Sequence, residues 1–166
     1  MNLKGAAHVY GSNIDTDRII PGKYTKTLNL QDLADHVLED LDPEFRERME
    51  VGDLVVADHN FGCGSSREQA PLALKTAGVS AVIARSFARI FFRNAINVGL
   101  PVIEIPDHDI KQGDEIVVEL NNGEIHNLTQ NKEYQGTQMP QVMIDILNDG
   151  GLTSFLKKHG DYSVSK

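Results

Sequence analysis

The first apolar run, Leu3 to Tyr10, suits a short strand. It gives way to Gly11-Ser12-Asn13-Ile14-Asp15-Thr16-Asp17-Arg18, whose glycine, asparagine and aspartates favour turns, so a loop or strand end is expected there. Ile19, Ile20 and Pro21 lead into a second expected loop, Gly22 to Thr27. Asn29 then offers a helix cap, with Asp32 approximating a capping box. Leu30, Leu33, Val37, Leu38 and Leu41 give that helix one apolar face until Pro43 interrupts the pattern. A second short helix is expected over Pro43 to Met49.

From Val51 onward the apolar runs become short and regular. Val51 to Ala57 reads as a strand, Ser66 to Ala77 as a helix ending at Gly78, and Val79 to Ala84 as a strand. Phe87 to Val98 reads as a helix stopped by Gly99, and Leu100 to Ile105 as a strand broken by Pro106-Asp107. This alternation predicts an α/β domain with partly parallel pairing and right-handed crossovers. Ile116 to Leu120 and Glu124 to Leu128, separated by Asn121-Asn122-Gly123, predict a hairpin, so the sheet should be mixed. Val142, Met143, Ile146 and Leu147, then Leu152, Phe155 and Leu156, fit one or two closing helices broken at Gly150-Gly151.

The length of 166 residues fits one compact domain, and 40% hydrophobic with 24% charged residues suits a globule with a real core. The 24 acidic and 16 basic residues leave a formal net charge of -8, which makes nucleic-acid phosphate or an anionic membrane surface a poor partner. A small anion is still admissible, because one arginine in a cleft can dominate the local field. No stretch approaches the roughly 20 apolar residues of a spanning helix, and the N-terminus lacks the apolar run of a signal peptide. With Cys63 as the only cysteine, no intrachain disulfide or complete cysteine-based metal site can form, and a cytoplasmic location is expected.

The strongest chemical signal is Gly62-Cys63-Gly64-Ser65-Ser66-Arg67. Two glycines just after an expected strand permit sharp turns and close ligand approach. An expected helix start at Ser66 would offer free N–H groups and a positive dipole end to a carboxylate. Arg67 adds a planar fork suited to the paired oxygens of a carboxylate. A plainer reading stands beside this one: Ser65-x-x-Glu68 matches a capping box, and Arg67 could be an ordinary surface ion-pair partner.

Three motifs stand in a telling order: Asp15-Thr16-Asp17-Arg18-Ile19-Ile20-Pro21, then Phe61-Gly62-Cys63-Gly64-Ser65-Ser66-Arg67-Glu68, then Ala81-Val82-Ile83-Ala84-Arg85-Ser86-Phe87-Ala88-Arg89-Ile90-Phe91. In this the chain resembles the small-subunit family of 3-isopropylmalate dehydratases, the LeuD type, and more widely the swivelling domain of the aconitase superfamily. The resemblance implies a swivelling β/β/α unit spanning residues 1–166, with a helical excursion and specificity loop at 24–50. It implies a hydro-lyase subunit of leucine biosynthesis, active only with a large subunit that carries a [4Fe-4S] cluster. The reaction implied is interconversion of 2-isopropylmalate and 3-isopropylmalate by dehydration and rehydration.

Carried over residue by residue, the resemblance makes Ser65 the catalytic base and Asp17 an active-site aspartate. It gives Ser66 and Arg67 to substrate binding, with Thr16 and Gly64 in support. Tyr24-Thr25-Lys26-Thr27 corresponds to the loop that reads the distinguishing substituent of the substrate. Lys26 departs from a purely apolar pocket, so homoaconitase-type and 2,3-dimethylmalate-type dehydration stay open beside isopropylmalate. A non-catalytic anion-binding or protein-interaction domain, and self-association of the isolated chain, also stay open. No metal ligand is assigned, because Cys63 alone cannot hold a cluster that needs several thiolates. His59 could support the glycine loop, Arg85, Arg89 and Arg93 recur at four-residue spacing, and Phe87, Phe91 and Phe92 suit packing.

Overall fold

The computed structural model describes residues 2–27 and 29–160. Seven strands form one mixed sheet in the order β4-β3-β2-β1-β5-β6-β7. β1 (Asn2–Val9), β2 (Leu54–Ala57), β3 (Ala81–Ala84) and β4 (Val102–Glu104) are parallel neighbours, registered Val9 on Val56, Val56 on Ile83 and Ile83 on Ile103. β5 (Glu115–Glu119), β6 (Glu124–Asn127) and β7 (Lys132–Gln135) extend it antiparallel from the other side of β1. The sheet curls until the backbone beyond β7 returns to β4, where the Thr137 N–H donates to the Glu104 carbonyl at 2.9 Å.

Every residue of β2 and β3 is buried, as expected of central parallel strands covered on both faces. The crossovers carry α2 (Leu30–His36), α4 (Gln69–Ala77) and α5 (Arg89–Val98), and α6 (Gln141–Asn148) and α7 (Leu152–His159) pack onto α5. The core gathers Leu54, Leu74, Ile83, Phe91, Leu100 and Phe155, each at most 2% exposed. The α/β class, the mixed sheet, the hairpin and the break at Gly150-Gly151 all stand as the residue pattern predicts.

Several boundaries differ, each for a local reason. The expected loop at Asp15–Arg18 contains a short helix, α1 (Thr16–Ile19), because the Asp15 carboxylate accepts the Arg18 N–H at 2.9 Å. A 3-10 turn occupies Gly22–Tyr24. The helix capped by Asn29 stops at His36, since Val37 is extended and Leu38 takes φ 58° to bury its side chain completely. Asp32 accepts from the Thr27 hydroxyl at 2.9 Å, so the capping box is not closed as expected. The second short helix narrows to α3 (Phe45–Arg48).

Two shifts bear on the site. α4 begins at Gln69, after an N-cap at Glu68 that makes no side-chain hydrogen bond. The helix start expected at Ser66 and the Ser65–Glu68 capping box are therefore both absent. Neither serine lies in the first turn, and the loop is held from outside the helix. α5 begins at Arg89 rather than Phe87, because Phe87 continues the ladder from β3 by bridging to Phe61. The residue pattern does not predict β7: Lys132-Glu133-Tyr134-Gln135 has no apolar alternation, and its pairing with β6 makes it a strand. No helix among the described residues is long and apolar enough to cross a membrane.

Candidate active site

β1, β2 and β3 lie side by side and point the same way, so the three segments that follow them emerge together at one edge of the sheet. These are the Asp15–Pro21, Phe61–Glu68 and Arg85–Phe91 stretches. Their pairing runs past the strands: Asp15 bridges Cys63, and Phe61 bridges Phe87. The carboxyl edge of parallel strands is where open α/β sheets bind ligands, since the loops there diverge and leave a crevice.

The glycine loop is fixed by backbone contacts from both neighbours. The Gly62 N–H donates to the Ile14 carbonyl and the Thr16 N–H to the Cys63 carbonyl, both at 2.8 Å. The Thr16 hydroxyl, 2% exposed, donates to the Ser65 carbonyl at 3.0 Å. Thr16 thus holds the backbone of Ser65 while leaving its side chain free. Gly62 adopts φ 83° directly over Phe91, where an added Cβ would sit 2.2 Å from the ring. Phe91 packs edge-on to Phe61, so the loop rests on an aromatic floor.

Ser65 and Ser66 are exposed, and among the described residues neither hydroxyl makes a hydrogen bond. Ser65, Gly62 and Gly64 line an open cleft of about 540 Å³ together with Ala88, Arg89, Ile90 and Arg93 from the start of α5. Arg67 does not line this cleft. Its Nη1 forms an ion pair with the Asp17 carboxylate and packs over Gly22, where an added Cβ would lie 3.0 Å away. That Nη1 is buried against Asp17, so only the remaining guanidinium nitrogens are left to meet a ligand.

The structure brings Asp17 to Arg67, Thr16 beneath Ser65, and Gly64 beside Asp15 and Thr16. The Tyr24–Thr27 loop lies next to this group without lining the Ser65 cleft. The Gln69 side chain donates to the Thr25 carbonyl at 3.3 Å, tying the loop to the start of α4. Tyr24 stacks flat on His36 with ring centroids 3.8 Å apart, and the Thr25 hydroxyl donates to the Gly22 carbonyl at 2.8 Å. Lys26 is exposed and unpaired among the described residues. His59 contacts the Ser86 hydroxyl through Nδ1 at 3.3 Å, supporting the loop from behind.

Arg85, Arg89 and Arg93 separate into two kinds. Arg85 is structural: Nε donates to Asp58 at 3.1 Å and the rest of its fork binds the Pro106–His108 segment. Arg89 and Arg93 face the cleft. Gly22 has the sequence character of a loop residue, and no sequence signal marks it as the seat of the Arg67 guanidinium. The Glu119, Glu124 and His126 side chains also converge on the antiparallel half of the sheet, at a distance in the fold from this edge.

Comparison with known proteins bears directly on this edge. The family model described as the aconitase C-terminal domain matches residues 41–108, which include the glycine loop and the start of α5. The chain is 53% identical over 165 residues to a 3-isopropylmalate dehydratase small subunit of Archaeoglobus fulgidus, covering 99% of this chain and 100% of that one. It is 52% identical over 163 residues to a methanogen homoaconitase small subunit of Methanothermobacter thermautotrophicus, covering 98% and 95%. The crystal structure of a 3-isopropylmalate dehydratase (leuD) of Methanocaldococcus jannaschii superposes with a TM-score of 0.92 at 46% identity, covering 96% of each chain.

Proposed function

The chain belongs to the family of 3-isopropylmalate dehydratase small subunits, hydro-lyase subunits of the aconitase superfamily, and we propose that it completes the active site that interconverts 2-isopropylmalate and 3-isopropylmalate in leucine biosynthesis. In this reading residues 1–166 act as one swivelling unit that closes over a cognate large subunit in the cytoplasm. The observation that carries it is Ser65: an exposed hydroxyl with no partner among the described residues, on a backbone held rigid from Thr16, facing an arginine-lined cleft.

A serine hydroxyl is a weak base in water, so proton abstraction from the carbon beside a carboxylate needs a cationic surrounding that stabilises the alkoxide. Arg67 supplies part of that field and offers its fork to a substrate carboxylate, with Asp17 holding the guanidinium against Gly22. Ser66 presents a second hydroxyl as a hydrogen-bond donor to substrate or loop. When bound, the [4Fe-4S] cluster supplies Lewis-acid activation of the leaving hydroxyl. Holding such a cluster takes several thiolates, and Cys63 is the only cysteine here, so the donor set fits a cluster carried by the large subunit.

Homoaconitase is the second reading, and Lys26 favours it: an exposed cation on the loop that reads the substrate suits a distal carboxylate better than an isopropyl group. Lysine can equally lay its methylenes along an apolar group and turn its charge to solvent. Anaerobic assembly with the cluster-loaded large subunit, followed by turnover of isopropylmalate, homoaconitate-type and 2,3-dimethylmalate substrates, separates the readings. Preference for isopropylmalate is expected. Strong preference for the substrate with a distal carboxylate moves the assignment to homoaconitase, and no turnover with an intact cluster leaves a non-catalytic anion-binding role.

A further inference from the structure

Arg89 and Arg93 stand on α5 where local helix energetics argue against them. Arg89 is the first residue of the helix, at the positive end of its dipole, and the first turn contains no acidic side chain. Arg93 follows one turn later, so two like charges share a face at the spacing that destabilises a helix. Both are exposed, and neither makes a hydrogen bond or ion pair among the described residues. By contrast Arg46, Arg48, Arg67 and Arg85 each meet an aspartate, in a chain whose acids outnumber its bases 24 to 16; among the described residues only Arg18 shares the unpaired state of Arg89 and Arg93.

Two guanidinium groups without an ion pair among the described residues line the same cleft as Ser65, and with Glu104 they also border a neighbouring apolar pocket. The Ala88 N-cap makes no side-chain hydrogen bond to the helix start beside them, so free backbone donors add to the same positive region. This is the field that lowers the cost of a serine alkoxide, and it also suits a carboxylate. Arg67 is paired with Asp17 and is not among the residues that line this cleft, and its fork can hold only one carboxylate end of a diacid.

We propose that Arg89 and Arg93 form a second carboxylate clamp at the Ser65 cleft and bind the other carboxylate of the dicarboxylate substrate. This rests on the function proposed above. A diacid with one carboxylate on these two arginines and the other end toward Arg67 is oriented as well as attracted, which makes Arg89 and Arg93 substrate-binding residues rather than decoration of a helix surface.

The test uses Arg89→Gln, Arg93→Gln and Arg89→Lys chains assembled with the cluster-loaded large subunit, with 2-isopropylmalate as the probe. KM, kcat and the midpoint of a small-subunit titration are read together. Each glutamine variant should raise KM about tenfold, as loss of a charge-assisted contact implies, and Arg89→Lys should recover part of it. The titration midpoint should stay put, and the melting temperature should hold or rise because an unfavourable charge leaves the helix start.

Unchanged KM with a weakened titration would mean that the arginines meet acidic side chains of the large subunit, and would overturn the clamp. So would unchanged values of both. Wild-type turnover in the same assembly reports separately on the function: an inactive wild type sinks both readings, whereas an active wild type with indifferent variants sinks the clamp alone.

Discussion

Asp17 and Arg67 form an ion pair between α1 and the segment leading into α4, with the guanidinium lying against the bare Cα of Gly22. Three chain segments thus fix the orientation of one fork. Putting a methyl group at residue 22 would bring a Cβ to 3.0 Å from Arg67 Nη1, and the guanidinium would have to give way. Gly22→Ala is therefore expected to raise KM of the assembled enzyme by about tenfold, the effect of losing one charge-assisted contact, while leaving thermal stability nearly unchanged. Steady-state kinetics beside a melting curve would check this; an unaltered KM would show that Arg67 does not need this seat.

Ser65→Ala removes a hydroxyl that makes no hydrogen bond among the described residues, so fold and subunit assembly should be indifferent to it. Turnover should fall by roughly two to four orders of magnitude, the usual contribution of a positioned base. Near-normal activity in a properly assembled complex would end the assignment of Ser65 as the base.

Gly62→Ala tests the aromatic floor rather than the chemistry. The new Cβ would overlap Phe91 at 2.2 Å on a backbone with φ 83°, combining overpacking with left-handed strain. A loss of about 3 kcal/mol in urea unfolding is expected. A cost below roughly 1 kcal/mol would mean that the loop lifts off Phe91 easily.

The Asp53 carboxylate couples β1 to β2. Burial pushes its pKa up, but the N–H groups of Glu50 and Ala6 and the His8 ring donate to it, and the net effect is to hold it below the ordinary carboxylate value. A lowered folded-state pKa gives stability that is present above the unfolded value near 4 and lost as pH falls through the folded value. Asp53→Asn should cost about 2 kcal/mol at neutral pH, and the gap to wild type should close below pH about 4. Denaturant unfolding across that range would show a constant gap if Asp53 is not the linked group.

The sequence already contained the elements and the chemistry. Short apolar runs set β2 and β3, Gly78 and Gly99 stop α4 and α5, and the order of the three motifs marked the family and pointed to Ser65, Arg67 and Asp17. Local pattern misplaced the helix starts near the site. Ser65 and Ser66 look like capping residues by composition, but the Ser65 carbonyl is claimed by Thr16 and the loop just before it by the bridge between Asp15 and Cys63, contacts of long sequence separation.

What tertiary structure alone decided is which side chains share a space. Parallel pairing of β1, β2 and β3 places three distant loops at one edge, and that pairing depends on register rather than on any local signal. It turns Arg67 toward Asp17 and Gly22, and it makes Arg89 and Arg93, which read as helix-surface charges, the walls of the Ser65 cleft. β7 belongs to the same class, a polar stretch made into a strand by the neighbour that satisfies its backbone. A chain specifies its elements through local propensity, but a site depends on which loop ends converge, and only long-range backbone hydrogen bonding and packing determine that.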